Sequence, residues 1–402
     1  MLDAGPPAEA GGGPAIEAGS VETDAAPTDT TPTDTAPADT ASADGAPPDA
    51  AADAGSGPDA PPPSSSLACP APAPEMCLAG AARCGGSACV SLNSDQNCGR
   101  CGRTCGDSLC QAFDCERVSI PDTATCSGPV AVSDTALYWA TMEGGIKKRT
   151  FANPSTTAVA ANEGMVMALV ADDRAVYFMN KEGLTCPSGG CLWRLSLDGG
   201  ARESLADVGL YPGGLTQDAE AIYWFTYGAI VRLDKAGPPA RQEIATGQGS
   251  DGGLAVDDEY VYWGSDSGGD GLIKRAPKKR KEGEGPTALV RGLARPHGIA
   301  VDGAYVYWTD RGTRFIQRAP RAGGDAVMLA SHMHPLQEPM GIAVTASDVY
   351  WSLSGGNINL YRVPRCGGET RVVADGNIGG TVPGKEDVFW CDIGVGIFRI
   401  RQ

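Results

Sequence analysis

Beyond residue 116 the hydrophobic positions fall in short runs separated by Gly, Asp, Ser and Pro, the punctuation of strands and turns rather than of helices. One run, "AYVYWTDRG" at 304–312, places Tyr305, Tyr307 and Thr309 on one face and Val306, Trp308 and Asp310 on the other. A strand that is apolar on both faces is covered on both faces. The run recurs as "ALYWATM" (136–142), "AVYFMNK" (175–181), "AIYWFTY" (221–227), "YVYWGSD" (260–266), "DVYWSLS" (348–354) and "DVFWCDI" (387–393). The leading aromatic advances by 39, 46, 39, 45, 43 and 39 residues.

Each copy has the same neighbours. An apolar strand precedes it, such as "GGLAV" or "HGIAV", and a strand with a basic or polar position follows it, such as "LIKRA" or "GIFRI". A fourth strand such as "AVMLA" (326–330) closes the first six copies. Four strands per repeat of this length predict an all-β chain folded as a seven-bladed β-propeller over 116–402. The Tyr-Trp pairs are then wedges between blades rather than a binding box. The last copy ends after its third strand, so "ERVSIPD" (116–122) is expected to supply its outer strand and close the ring.

Composition divides the rest of the chain. Residues 1–66 hold no Lys or Arg, twelve Asp and Glu, and almost no large apolar side chain, which predicts a disordered acidic tether. Removing those twelve from the net charge of −17 leaves about −5, ordinary for a soluble domain and no argument for nucleic acid. The basic run "IKRAPKKRKEGEG" (273–285) lies between two strand patterns and reads as a solvated hairpin loop.

Nine of the fourteen cysteines, Cys69, Cys77, Cys84, Cys89, Cys98, Cys101, Cys105, Cys110 and Cys115, lie in a stretch (67–115) too poor in apolar residues for a core of its own. Disulfides are preferred to zinc there, because the close set Cys98, Cys101 and Cys105 lacks a second matched pair. Disulfides imply an oxidising compartment, extracellular or at the surface of a bacterial envelope. The chain opens without a basic region followed by an apolar core, so an export signal, with a lipidated Cys as the membrane anchor, is expected to have been lost from its start. In the propeller, Cys126 and Cys391 are expected to bridge the closure, and Cys186 and Cys191 to pair within one loop. Cys115 and Cys366 then remain, both on the opposite rim.

The "VYWTD" unit with "GIAVD" ahead of it resembles the YWTD and NHL families of β-propellers over 116–402, although YWTD propellers commonly have six blades. The string "CVSL…D…NCGRCGRTC" resembles Stig1-like cysteine-rich repeats over about forty residues, which implies an extracellular module.

Candidate chemistry follows from strand direction: loops that lead into first strands share a rim with loops that leave second strands. That rim, the upper one below, is expected to carry Tyr211, Asp251, His297, Glu338, Glu143, Lys181, Tyr227, Asp266, Asp270, Arg311, Arg314 and Asn357. "RPHGIAVDGAYVYWTD" resembles the "PHGI" and "LWFTE" elements of streptogramin B lyases, a resemblance that implies a His, a Glu and Mg²⁺. It offers His297 as a base, with Asp310 at the Glu place, but no second His opens a corresponding blade. Asp266, Ser267 and Asp270 in "SDSGGDG" are a candidate Ca²⁺ turn with too few ligands, and His332 and His334 a candidate metal pair. No nucleophile elbow or phosphate loop is present. The sequence therefore predicts a monomeric, non-enzymatic secreted or surface protein without a cofactor, whose rim binds a protein, peptide or glycan. A metal-assisted lyase or hydrolase at His297 and a structural envelope component are the alternatives.

Overall fold

The computed structural model describes residues 81–83, 89–91, 105, 109–111 and 114–402, the last without 182–185, 209–212, 227, 238–239, 249–251, 267–269, 281–282, 333–335 and 355–358. The candidates Tyr211, Tyr227, Asp251, Ser267, His334 and Asn357, the tether, and five of the module's cysteines lie outside them.

Seven four-stranded antiparallel sheets make seven blades. Blade one runs Cys126–Val132, Ala136–Thr141, Ile146–Thr150, Thr156–Ala160. Blade five runs Pro296–Val301, Tyr305–Asp310, Phe315–Pro320, Val327–Ser331, and the other blades repeat this order. Blade seven takes Ile378–Pro383, Asp387–Asp392 and Gly396–Arg401 from the end of the chain and Val118–Ile120 from its start. The pairing of Ile397 with Ile120 and of Arg399 with Val118 closes the ring and leaves the last sheet complete. Among the described residues no helix is long and apolar enough to cross a membrane.

Each of the seven hydrophobic clusters sits at one blade boundary. Tyr262 of blade four is buried with Trp308 of blade five, Tyr307 with Trp351 of blade six, and Tyr350 with Trp390 of blade seven. Phe389 meets Trp139 across the closure. The two aromatics of one strand therefore point to opposite neighbours, as the alternation of a strand requires. Phe178 takes the Trp place in blade two and meets Tyr138.

The innermost strands converge towards the axis, and glycine is what lets them pass. A Cβ on Gly298 would collide with the carbonyl oxygen of Met340 in the next blade, and one on Gly379 with the backbone of Gly128. This accounts for the Gly near the start of first strands.

On the lower rim a repeated polar clasp joins neighbouring blades, which sequence reasoning missed. The Asp that ends "GIAVD" in blade five, Asp302, accepts the backbone N–H groups of Ala304 and Tyr305 through Oδ1. Its Oδ2 accepts the Tyr307 hydroxyl at 2.8 Å and Arg365 of blade six at 3.2 Å. Asp257, Tyr262 and Arg321 repeat the arrangement, as do Asp218, Tyr223 and Lys278; Asp172 and Lys235 keep the ion pair at 2.8 Å. Burial, together with Asp257, pushes the Tyr262 phenol up to about 12, so it remains a donor at any ordinary pH. Burial would raise the Asp218 carboxyl, but Lys278, Tyr223 and two backbone N–H groups outweigh it and hold that carboxyl below the usual range. Part of the basic run thus belongs to this framework. Ile273 to Pro277 lie in the third strand of blade four, and Lys278 reaches back to blade three.

Cys126 and Cys391 are disulfide-bonded across the closure, with Cα atoms 6.1 Å apart, and Cys186 and Cys191 are bonded within their loop. Cys115 does not remain over with Cys366. It is bonded to Cys105, ten residues upstream, where a short hairpin pairs Cys110 with Cys115. Cys110 and Cys366 each take part in a disulfide as well. The end of the cysteine-rich stretch packs against the propeller, because Cys105 and Cys115 are buried in one cluster with Tyr350, Trp390 and Ile400.

Candidate functional site at the upper rim

The upper rim divides into a charged arc on blades five and six and an apolar arc on blades seven, one and two. In the charged arc, Asp310 is fully buried at the end of the second strand of blade five. Its carboxylate accepts the backbone N–H groups of Ala294, Arg295, Gly312 and Thr313 at 3.0–3.1 Å. Three of these bonds go to Oδ1 and one to Oδ2, which makes Asp310 the keystone of two loops. Asp392 is used similarly in blade seven, accepting the N–H of Asn377.

His297 sits in the irregularity between Pro296 and Ile299, half-buried, with Nδ1 3.5 Å from the Met340 carbonyl oxygen. Its own carbonyl accepts the N–H of Gly253 from blade four. Glu338 accepts Arg311 Nε at 2.6 Å and lies 3.6 Å from Arg295, so two predicted binding residues, Arg311 and Glu338, answer each other. Arg314 occupies a left-handed turn position in the neighbouring loop (φ 61°). The residues beside His297 fit a His/Glu/Mg²⁺ centre poorly, since the acid at the Glu place is already engaged by four backbone N–H groups and no second His stands near it among the described residues. Among the described residues no cluster of three His, Cys, Asp or Glu groups is placed to hold a metal. Asp266 is exposed and Asp270 accepts the N–H of Gly292, while His332 bonds Gln337 at 3.0 Å and packs on Tyr361.

The apolar arc was not anticipated from the sequence. Met142 and Met165 are each 63% exposed on two interlocked loops, where Glu163 N–H donates to the Gly144 carbonyl at 2.7 Å. The loop that carries Met165 is anchored from beneath: Glu163 is buried in an ion pair with Arg202, whose guanidinium lies 3.9 Å from the centre of the Trp193 ring. Asn180 ties the same loop down, donating to the Glu163 carbonyl at 2.7 Å and accepting Trp193 Nε1–H at 3.0 Å. Met165 and Val166 are shared by two adjoining cavities of about 390 and 400 Å³. The first lies between the Met142 and Met165 loops, beside predicted Glu143; the second enters the central channel past Val130, Leu169, Leu215 and Ile393. Lys181 is exposed at the edge of this arc, its N–H bonded to the Met165 carbonyl. The signal available in the sequence was a pair of methionines, one after a second strand and one before a first strand, where most other copies carry polar residues.

This is the architecture of a seven-bladed β-propeller, and solved structures of that shape are similar to it. Virginiamycin B lyase from Staphylococcus aureus matches with a TM-score of 0.55 and 15% identity over 71% of this chain and 98% of that one. A streptogramin B lyase matches with 0.54 and 15% over 71% and 96%. The β-propeller domain of Cps50 (Swd1) from Myceliophteria thermophila matches with 0.52 and 11% over 71% and 99%. At these identities the likeness shows the fold alone. No protein-family model and no curated protein matches the chain.

Proposed function

We propose that this chain is a non-enzymatic, extracellular or cell-surface binding protein that presents the apolar arc of its upper rim to a partner. The observation that carries the reading is the pair Met142 and Met165, both exposed and lining one cavity on interlocked loops, the second anchored from below, next to an apolar channel mouth. Unbranched thioethers adapt to varied apolar shapes, and a rigid support lowers the ordering cost of association. Of the three ligand classes expected, a protein or peptide with an apolar side chain fits this arc better than a glycan, whose recognition needs hydrogen-bonding groups. Three disulfides within or beside the propeller support an oxidising compartment. A single chain with the acidic tether behind a lipid anchor would act as a monomer at the surface.

Shape favours the lyase alternative, because two of the similar structures are streptogramin or virginiamycin B lyases. The acid at the Glu place argues against it, because four backbone N–H groups hold it in a structural role. The test uses the full chain with a photo-crosslinking residue at position 142, applied to intact cells. Saturable crosslinking to one partner, lost in Met165→Glu and kept in His297→Ala, is the expected result. Turnover of a cyclic ester that is lost in His297→Ala would overturn the reading. Stoichiometric, non-saturable attachment to the envelope would identify a structural component instead.

A further inference from the structure

We infer that a cavity on the lower rim, at the seam between blades seven and one, binds a small aromatic carboxylate. The site lies on the face opposite the upper rim and does not depend on the function proposed there. At the boundaries from blade two to blade six, an Asp and a Tyr of one blade meet a Lys or Arg that follows the third strand of the next. At the seam all three places have changed character together: Gly384 stands for the Asp, Phe389 for the Tyr and Phe151 for the cation. A Cβ on Gly384 would lie 2.9 Å from a Phe389 ring carbon, so the ring already occupies the room that the Asp side chain takes elsewhere.

The replacement opens space. Beside Tyr177 and Lys235, at the boundary of blades two and three, the corresponding cavity is about 20 Å³; at the seam it is about 460 Å³. That volume is within the range of small-molecule sites. Its floor is the stacked pair Phe151 and Phe389, with ring centroids 5.8 Å apart and planes at 21°. Phe151 is nonetheless 42% exposed, an aromatic surface left uncovered within a cavity walled by Pro121, Leu137 and Pro154.

Charge supplies the second half of the ligand. Of the carboxylates on the wall, Asp387 accepts Arg399 at 3.0 Å and Glu386 pairs with Arg401 at 2.6 Å. Among the described residues the Arg149 side chain donates only to the Thr156 hydroxyl, at 3.2 Å, and Lys385 has no acidic partner. Against these two cations stands one further acid, the exposed Asp134. A flat ring for the phenylalanines and a carboxylate for Arg149 and Lys385 complement the cavity on both counts.

The experiment titrates the full, oxidised chain with 2-naphthoate by isothermal calorimetry, with 2-naphthalenemethanol as the uncharged control. Saturable one-to-one binding of naphthoate is expected. Phe151→Lys, which places at the seam the residue type of the clasped boundaries, should weaken it about tenfold. Lys385→Gln should weaken naphthoate about threefold and leave the alcohol unchanged. Should Phe151→Lys melt early, Phe151→Leu replaces it, keeping apolar bulk without the ring, with about a threefold loss expected. Absence of saturable binding to the unaltered chain, or equal binding by a folded Phe151 variant, would overturn the site. Equal losses of acid and alcohol in Lys385→Gln would overturn the carboxylate.

Discussion

The boundary between blades four and five and the seam between blades seven and one do the same job with different chemistry. Both bury a leading aromatic against a Trp, Tyr262 with Trp308 in one and Phe389 with Trp139 in the other. At the first boundary Arg321 reaches Asp257 at 2.8 Å and the Tyr262 hydroxyl at 3.2 Å. At the seam that polar clasp is absent, and a disulfide joins Cys126 to Cys391. The lesson is that the aromatic wedge is the invariant of this ring, while the lock beside it varies. Covalent closure suits the one boundary whose strands come from opposite ends of the chain, where a long loop must be closed.

The largest expected effect tests the invariant. Trp308→Ala and Trp139→Ala should each cost about 3–5 kcal/mol in chemical denaturation, because both rings are fully buried. A marked asymmetry between them would break the claim that the wedges are equivalent.

Next in size is the lock of the seam. Cys126→Ser with Cys391→Ser should cost about 2–4 kcal/mol and make blade seven the first to exchange amide hydrogens, measured by mass spectrometry. Unchanged exchange at Gly396–Arg401 would show that Val118–Ile120 closes the ring without covalent help.

The polar clasp should contribute less. Lys278→Met removes a partner that lies 2.7 Å from Asp218, and a loss of about 1–3 kcal/mol is expected, read from thermal melts. The equivalent place at the seam is already apolar, so Phe151→Leu should change global stability by less than about 1 kcal/mol.

The smallest effect is a pH dependence. Burial raises the Asp172 and Asp218 carboxyls, yet Lys235, Lys278 and backbone N–H groups outweigh it, so both fall below their ordinary values in the folded chain. A depressed carboxyl contributes its full stability above the unfolded value near about 3.9 and loses it as pH falls through the folded value. The melting temperature should therefore drop below about pH 4, and less steeply in Asp218→Asn; identical slopes would detach the clasp from acid stability.

The seven blades, their order and the borrowed outer strand were legible because they rest on a short-range signal: strands covered on both faces must be apolar on both, and that repeats with a fixed period. The candidate site was legible only in part. Asp310 stood out by its position at the end of "YWTD", but its four backbone donors come from two loops and cannot be seen in a linear string. Arg311 and Glu338, singled out separately as rim residues, form an ion pair with each other.

What the chain's order of residues determined alone was the local rule: which segments extend, which face is aromatic, and where glycine must let two strands pass. Only the closed ring decided which distant groups became neighbours. Met142 next to Met165, Lys278 on Asp218 and Phe151 on Phe389 are each products of one blade set beside another. Packing within a blade is governed by alternation along a strand, whereas contact between blades depends on loop paths and on the angle at which whole sheets meet.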